Sequence, residues 1–448
     1  MKKPLLAALV CVLSAVYSFP EAIPVPGGSL AEQMAWLESG ARSSTLYRIE
    51  ISGFQALAPQ QLILPRRSNV TLTLSGDGQA SVIVLDGEGS LFTVGSGVTL
   101  ILDGVALHGG GDNNRPLVQI NSGGALIMNA GSALAGNTGG AVSVHSGGTF
   151  TMYGGEISGN SGNPGGESRP AIRGGDGGVG AVLNWGDFTM HGGAIGGNTG
   201  GAGNEQGRGG AGGVMNWGTF TMHGGVIGGN TGGAGGEGHL GGSGGVFNGG
   251  RFTMYGGEVS GNAGGMGSGG LWGVSGGTGG VNNSGAFTLR GGVISGNTGG
   301  PAHDDCGGWG STGGVSNSGR FTMYGGSISA NSGTGNGESS PWGGWSGIGA
   351  VFTVGVFTMH GGSISANSGG IGVWSVRHGT TSYGVFRISG GVIYGEGESL
   401  ENSGGTLRLF YLTTTAQFGT FNSVGLFVST GNLAGTDSTI RVTGGVLQ

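Results

Sequence analysis

The chain has little charge, almost no lysine and only two cysteines. Charged residues occupy 9% of its 448 positions, and both lysines, Lys2 and Lys3, stand at the extreme N-terminus. So low a charge excludes a charge-rich disordered chain. Past residue 18 the basic residues are 15 arginines against 23 Asp and Glu, so the net formal charge there is 15 minus 23, or -8. That balance offers no footprint for a phosphate backbone and argues against nucleic-acid binding. Cys11 falls in the N-terminal apolar run, which leaves Cys306 alone. One thiol builds no disulfide framework, so packing and backbone hydrogen bonds must hold the fold. The 11 prolines are few, and the glycines keep no strict three-residue period, which excludes collagen. No segment approaches the ~20 apolar residues of a membrane-spanning helix.

Glycine is what the chain has in abundance. There are 116, about a quarter of the residues against a usual ~7%. With 36% apolar residues and a mean hydropathy of +0.08, two classes remain: a low-complexity linker, or a repeat protein with glycine at fixed turns.

Met1-Lys2-Lys3, the apolar run Leu5 to Tyr17 and the small residue Ser18 read as the basic, apolar and cleavage regions of an export signal. Residues 1–18 are therefore expected to be a signal peptide, cleaved after Ser18. A lipoprotein reading of Cys11 meets Val10 where a small residue is wanted.

Self-similarity decides between linker and repeat. The phrase Phe-Thr-Met-x-Gly-Gly-x-Ile-Ser-Gly-Asn begins, with small variations, at Phe150, Phe188, Phe220, Phe252, Phe287, Phe321 and Phe357. A degraded copy begins at Phe386 and looser precursors at Leu100 and Leu126. From Leu126 onward the intervals are 24, 38, 32, 32, 35, 34, 36 and 29 residues. A Val precedes each Phe by six positions, from Val144 through Val182, Val214 and Val246 to Val351, and in five units an Asn follows it, at Asn184, Asn216, Asn248, Asn283 and Asn317. Each unit thus holds three short apolar runs separated by Gly and Asn turns, which fits one coil of a parallel β-helix. Helical repeats fail, because each helical Gly costs about 1 kcal/mol relative to Ala.

Alternation places Phe and Met inside and Thr and the residue after Met outside. The Gly-Gly pair, as at Gly154-Gly155, falls where the chain must turn sharply. The column Asn160, Asn198, Asn230, Asn262, Asn297, Asn331 and Asn367 is expected in left-handed turn positions, forming amide ladders. Intervals longer than 24 come from insertions at one place in the coil, such as Asn163 to Asp176 and Gly333 to Gly347, so these loops line one edge. Ser29-Leu30-Ala31-Glu32 is a capping box opening an amphipathic helix that carries Leu30, Ala31, Met34 and Leu37 and closes at Gly40.

The expected fold is all-β: a right-handed single-stranded parallel β-helix, or solenoid, with a short N-terminal capping helix. Residues 19–68 form the N-terminal linker and cap, 69–400 the repeats and 401–448 a C-terminal β cap, with strand-like runs at 407–413 and 438–442.

With the signal, the capping helix, the segment Leu91 to Leu100 and the Phe-Thr-Met units in hand, the chain resembles bacterial exported right-handed parallel β-helix repeat proteins over roughly residues 70 to 400. Gly192-Gly193-Ala194-Ile195 is more weakly similar to the short repeat of polymorphic outer-membrane proteins, which are surface adhesins. These resemblances imply a cell-surface, periplasmic or extracellular location.

Many β-helix proteins act on acidic polysaccharides through clustered carboxylates, and this chain has few. Glu156 and Glu258 occupy equivalent positions three units apart, and His303-Asp304-Asp305-Cys306 reads as a solvated turn more readily than as a metal site. The outward column Tyr153, His191, His223, Tyr255, Arg290, Tyr324 and His360 has two readings. It is a sugar platform, with His191 and His223 a potential metal pair, or it is cross-strand pairing that stabilises an exposed sheet. Trp272, Trp309, Trp342, Trp345 and Trp374 are placed in the insertions, either as a recognition surface or as anchors pinning glycine loops. The sequence thus points to an exported, non-enzymatic, adhesin-like scaffold binding a glycan or a surface protein through Trp- and Gly-rich edge loops. The binding residues expected are those five tryptophans with Tyr153, His191, His223 and Tyr255, and no catalytic residue, metal or cofactor is assigned. The alternative is a polysaccharide lyase or glycoside hydrolase with its site on the same edge.

Overall fold

The structure is a computed structural model that describes residues 22–368 except 79, 166–174, 206, 270–274, 303–309 and 336–346, and beyond 368 the backbone of seven strands between Val373 and Thr443. It is a right-handed parallel β-helix. Each coil contributes one strand to each of three sheets. The Phe-Thr-Met strands form a sheet of thirteen, the Val-x-Asn strands a second of thirteen, and the Ile-Ser strands a third of twelve. Leu46–Ile51 already belongs to the first of these, in register with Val70–Gly76. Parallel pairing continues to Glu398–Ser403, where Val442–Thr443 joins antiparallel; residues 407–413 lie outside the described residues.

At a strand spacing of ~4.8 Å, twelve coils make a rod of about 55 Å. Its N-terminal end is closed by the helix Leu30–Gly40, among the described residues the one α-helix. The Ser29 hydroxyl accepts the Glu32 N–H at 3.3 Å, and the Glu32 carboxylate accepts the Gly28 N–H at 2.8 Å. Leu30, Met34 and Leu37 are buried on the first coil, whereas Ala31 faces solvent. At the other end of the helix the Arg67 guanidinium donates to the Glu38 and Ser39 carbonyls at 2.7 and 2.8 Å, satisfying groups the helix leaves open.

The interior repeats coil by coil. Phe150, Phe188, Phe220, Phe252, Phe287, Phe321 and Phe357 are fully buried, their rings parallel and 4.6 to 4.8 Å apart. Beside them run the columns of Met (or Leu289) and Ile (or Val259), also fully buried. Each such side chain contributes roughly 1.5 to 3 kcal/mol, which no coil can realise without its neighbours.

Two columns of buried asparagine run the length of the repeats. Asn160, Asn198, Asn230, Asn262, Asn297, Asn331 and Asn367 pass side-chain amide bonds of 2.8 to 3.0 Å from each coil to the next. Asn184, Asn216, Asn248, Asn283 and Asn317 do the same at 2.7 Å, ending on the Thr353 hydroxyl at 2.8 Å. The first column does not hold the left-handed position expected of it. That position is one residue earlier, at Gly159, Gly197, Gly229, Gly261 and Gly296, and at Ala330 and Ala366 with φ 54° and 51°. The reason is division of labour: glycine makes the turn without strain, while the asparagine turns inward to bond main-chain carbonyls, as Asn230 does with Ile195 at 2.8 Å. The second glycine of each Gly-Gly pair does take positive φ, 86° at Gly155 and 91° at Gly362.

The insertions are not loose loops. Where they are described, they leave the coil along one arm and return along another, and from Gly178 to Gly300 a single chain of amide bonds links the arms in alternation. Gly201 donates to Gly178, Gly210 to Gly201, Gly233 to Gly210, Gly242 to Gly233, Gly265 to Gly242, Gly277 to Gly265 and Gly300 to Gly277, all at 2.8 to 2.9 Å. Like arms also pair with like: Gly200 donates to Thr231, and Gly209 to Leu240. Residues three apart, such as Gly201, Asn204, Gly207 and Gly210, point their main chain at the adjacent arm. That is the three-residue turn of a polyproline II chain, so the insertions build a two-layered slab of such chains. Glycine is required here for closeness, since a Cβ on Gly233 would lie 1.8 Å from the Gly201 carbonyl oxygen.

Replacing Asn230 with Ala interrupts one ladder and leaves buried carbonyls unpaired; a loss of roughly 3 kcal/mol is expected, read as reduced amide-exchange protection in the coils on both sides. Gly233→Ala is expected to disrupt the slab. Gly261→Ala, at the turn where Ala330 and Ala366 already sit, should cost only about 1 kcal/mol. Thermal unfolding of the two variants checks the order.

Candidate functional site

The strand Thr149–Met152 and its six successors direct three columns outward. The middle column is threonine throughout, from Thr151 to Thr358. The column after Met brings Tyr153, His191, His223 and Tyr255 together as expected, ring upon ring. Centroids are 4.9, 4.9 and 5.1 Å apart and planes within 11° of parallel. Arg290 continues it, its guanidinium 5.7 Å from the Tyr255 ring centroid and 5.0 Å from that of Tyr324. His360 stacks on Tyr324 at 4.9 Å.

This geometry favours cross-strand pairing over a sugar platform. Pyranose stacking needs a free ring face, and rings repeated at the coil spacing turn their faces to one another. Their edges, with hydroxyls and ring nitrogens, are left to solvent. The arrangement of His191 and His223 is likewise wrong for chelation. Nitrogen lone pairs lie in the ring plane, so two parallel imidazoles 4.9 Å apart do not converge on an ion that needs ~2 Å bonds to both. Among the described residues no group of three or more His, Cys, Asp or Glu is placed to hold a metal. Glu156 and Glu258 share a column through Ala194 and Val226, so they stand about 14 Å apart, beyond the ~5–9.5 Å of a glycosidase pair.

Trp272, Trp309, Trp342 and Trp345 lie outside the described residues, as does His303 to Cys306. Trp374 is not in an insertion. It stands in the strand Val373–Val376, in register with Phe352.

Two tryptophans outside the insertions are exposed on the rod itself. Trp185 and Trp217 occupy the corner between the Val-x-Asn and Phe-Thr-Met strands, 50% and 42% exposed, stacked at 5.5 Å and 12°. The Trp217 indole also packs on Phe247, at 5.3 Å and 55°. It lies over Gly249, where a Cβ would come within 2.4 Å of the ring. The signal was the repeated Val-x-Asn-Trp-Gly at Val182 and Val214, one position past the Asn column. Compared with known proteins, the chain matches no family model, no curated protein and no solved structure.

Zinc titration by calorimetry is expected to give the same heats for the unaltered chain and for His191→Gln/His223→Gln. A saturable site lost in the variant would show that the two imidazoles do converge on a metal.

Proposed function

We propose that this is an exported, non-enzymatic, adhesin-like scaffold whose surface binds a glycan or another protein. The observation that carries the reading is the Trp185–Trp217 pair. Two stacked indoles, each about half exposed, are held on a corner whose backbone is bonded to the coils above and below. Stacked on each other, the indoles offer exposed edges rather than a pair of open faces, and exposed tryptophan on a rigid frame is costly to leave in water and loses little freedom on binding, which is what recognition surfaces exploit. The edge insertions with Trp272, Trp309, Trp342 and Trp345 extend the same logic, their bases anchored by the glycine slab. Export rests on the N-terminal sequence pattern and on the resemblance to exported β-helix proteins.

A glycan array and a protein-binding screen with the full chain test this. Trp185→Ala/Trp217→Ala is expected to weaken the best uncharged-glycan or protein ligand at least tenfold with the far-UV β signal unchanged. Unchanged binding would remove the indole pair from the site. Release of oligosaccharide from any member of a polysaccharide panel would overturn the non-enzymatic reading.

A further inference from the structure

The outer face of the Phe-Thr-Met sheet carries a cluster that the indole pair does not use. Arg251 and Arg320 share a column through Ala286, two coils or about 10 Å apart. Arg290 projects from the coil between them, four residues along from Ala286 and about 13 Å across the sheet. All three are exposed, and none forms an ion pair: the one salt bridge among the described residues joins Arg48 and Glu50 at 3.5 Å. Among the described residues, Asp187 stands two coils from Arg251 in the same column, and Glu258 lies on the adjoining sheet with the Ser260 hydroxyl at 3.4 Å. Three unpaired guanidinium groups on adjacent coils are an anomaly in a chain of net charge -6.

Arg290 is also held in place. Tyr255 and Tyr324 flank it on the coils either side, so the planar guanidinium is fixed between two rings and keeps its N–H edge toward solvent. An arginine ordered before binding loses little freedom when it takes a carboxylate or sulfate in a two-pronged contact. Between the arginine columns lie Thr253, Thr288 and Thr322, and at the margin the tyrosine hydroxyls of Tyr255 and Tyr324, all able to bond sugar hydroxyls. The groups repeat in straight rows along the rod, which suits a linear polymer lying parallel to its axis.

We infer that this face binds an anionic polysaccharide, whose carboxylate or sulfate groups pair with Arg251, Arg290 and Arg320 and whose hydroxyls meet the threonine rank. The inference rests on the binding function proposed above but places a ligand class on a different face. A single-stranded nucleic acid fits the same face less well, because its bases need open ring faces and these rings are closed against their neighbours.

The test measures binding of the full chain to four probes: a polyuronate, a sulfated glycan, a neutral glucan and single-stranded DNA. Binding is expected to the polyuronate or the sulfated chain, weakening as salt is raised, and not to the glucan; which of the two binds tells carboxylate from sulfate. Arg290→Gln is expected to lower affinity about tenfold, the loss of one charge-assisted contact, and Arg251→Gln/Arg290→Gln/Arg320→Gln to abolish it. Arg290→Lys should recover only part of the loss, since the charge returns without the fork. Melting curves confirm that each variant is folded. Trp185→Ala/Trp217→Ala should leave acidic-glycan binding intact, which separates this site from the indole pair. Equal affinity for DNA, or binding that survives the triple variant, would overturn the assignment.

Discussion

Parallel-strand hydrogen bonding sets one spacing between coils, and every column of side chains inherits it. Phenylalanine rings lie 4.6 to 4.8 Å apart, and the exposed Tyr and His rings 4.9 to 5.1 Å. At that spacing identical residues meet face to face, so each position of the coil must be a residue type that tolerates its own kind. Phenylalanine, methionine and isoleucine do so by packing, and asparagine by donating from one amide to the next. Like charge does not, which accounts for arginines that alternate between columns instead of stacking on one another.

The same constraint explains which features were readable. Residues with side chains announce their columns, so the Phe-Thr-Met phrase located the interior and its turns, and the recurring Asn located two ladders. Where a residue type supports two roles, the pattern left the choice open. Asn favours left-handed turns and also satisfies buried carbonyls, and only the packing showed that Gly159 and its equivalents make the turn while Asn160 and its equivalents face inward. Trp185 and Trp217 were legible as part of Val-x-Asn-Trp-Gly, but a motif that occurs twice, at a corner between strands, does not fix by alternation whether the indole turns in or out. The guanidinium cluster was harder to see, because Arg251, Arg290 and Arg320 fall at two different positions of the repeat and meet only across the sheet.

The glycine slab lay beyond the sequence for another reason. Glycine has no side chain to mark a direction, and four of the seven bonds in the alternating chain run between insertions, across 23 residues. A glycine-rich insertion therefore reads as a flexible loop even where Gly201, Gly233 and Gly265 are packed against neighbouring carbonyls as closely as any main chain can be.

That slab also restricts how the protein can change over generations. Because an arm presents the same edge to its neighbour every third residue, adding one residue to an ordered arm rotates everything beyond it out of bonding register, whereas adding three restores it. Successive repeats of 38, 32, 32 and 35 residues, whose insertions carry the alternating bonds, differ by six, zero and three, whereas the next two, of 34 and 36, depart from the triplet. Within a bonded arm, lengthening by three residues keeps the main chain in register with the arms beside it, and any other increment has to be absorbed outside the bonded stretch.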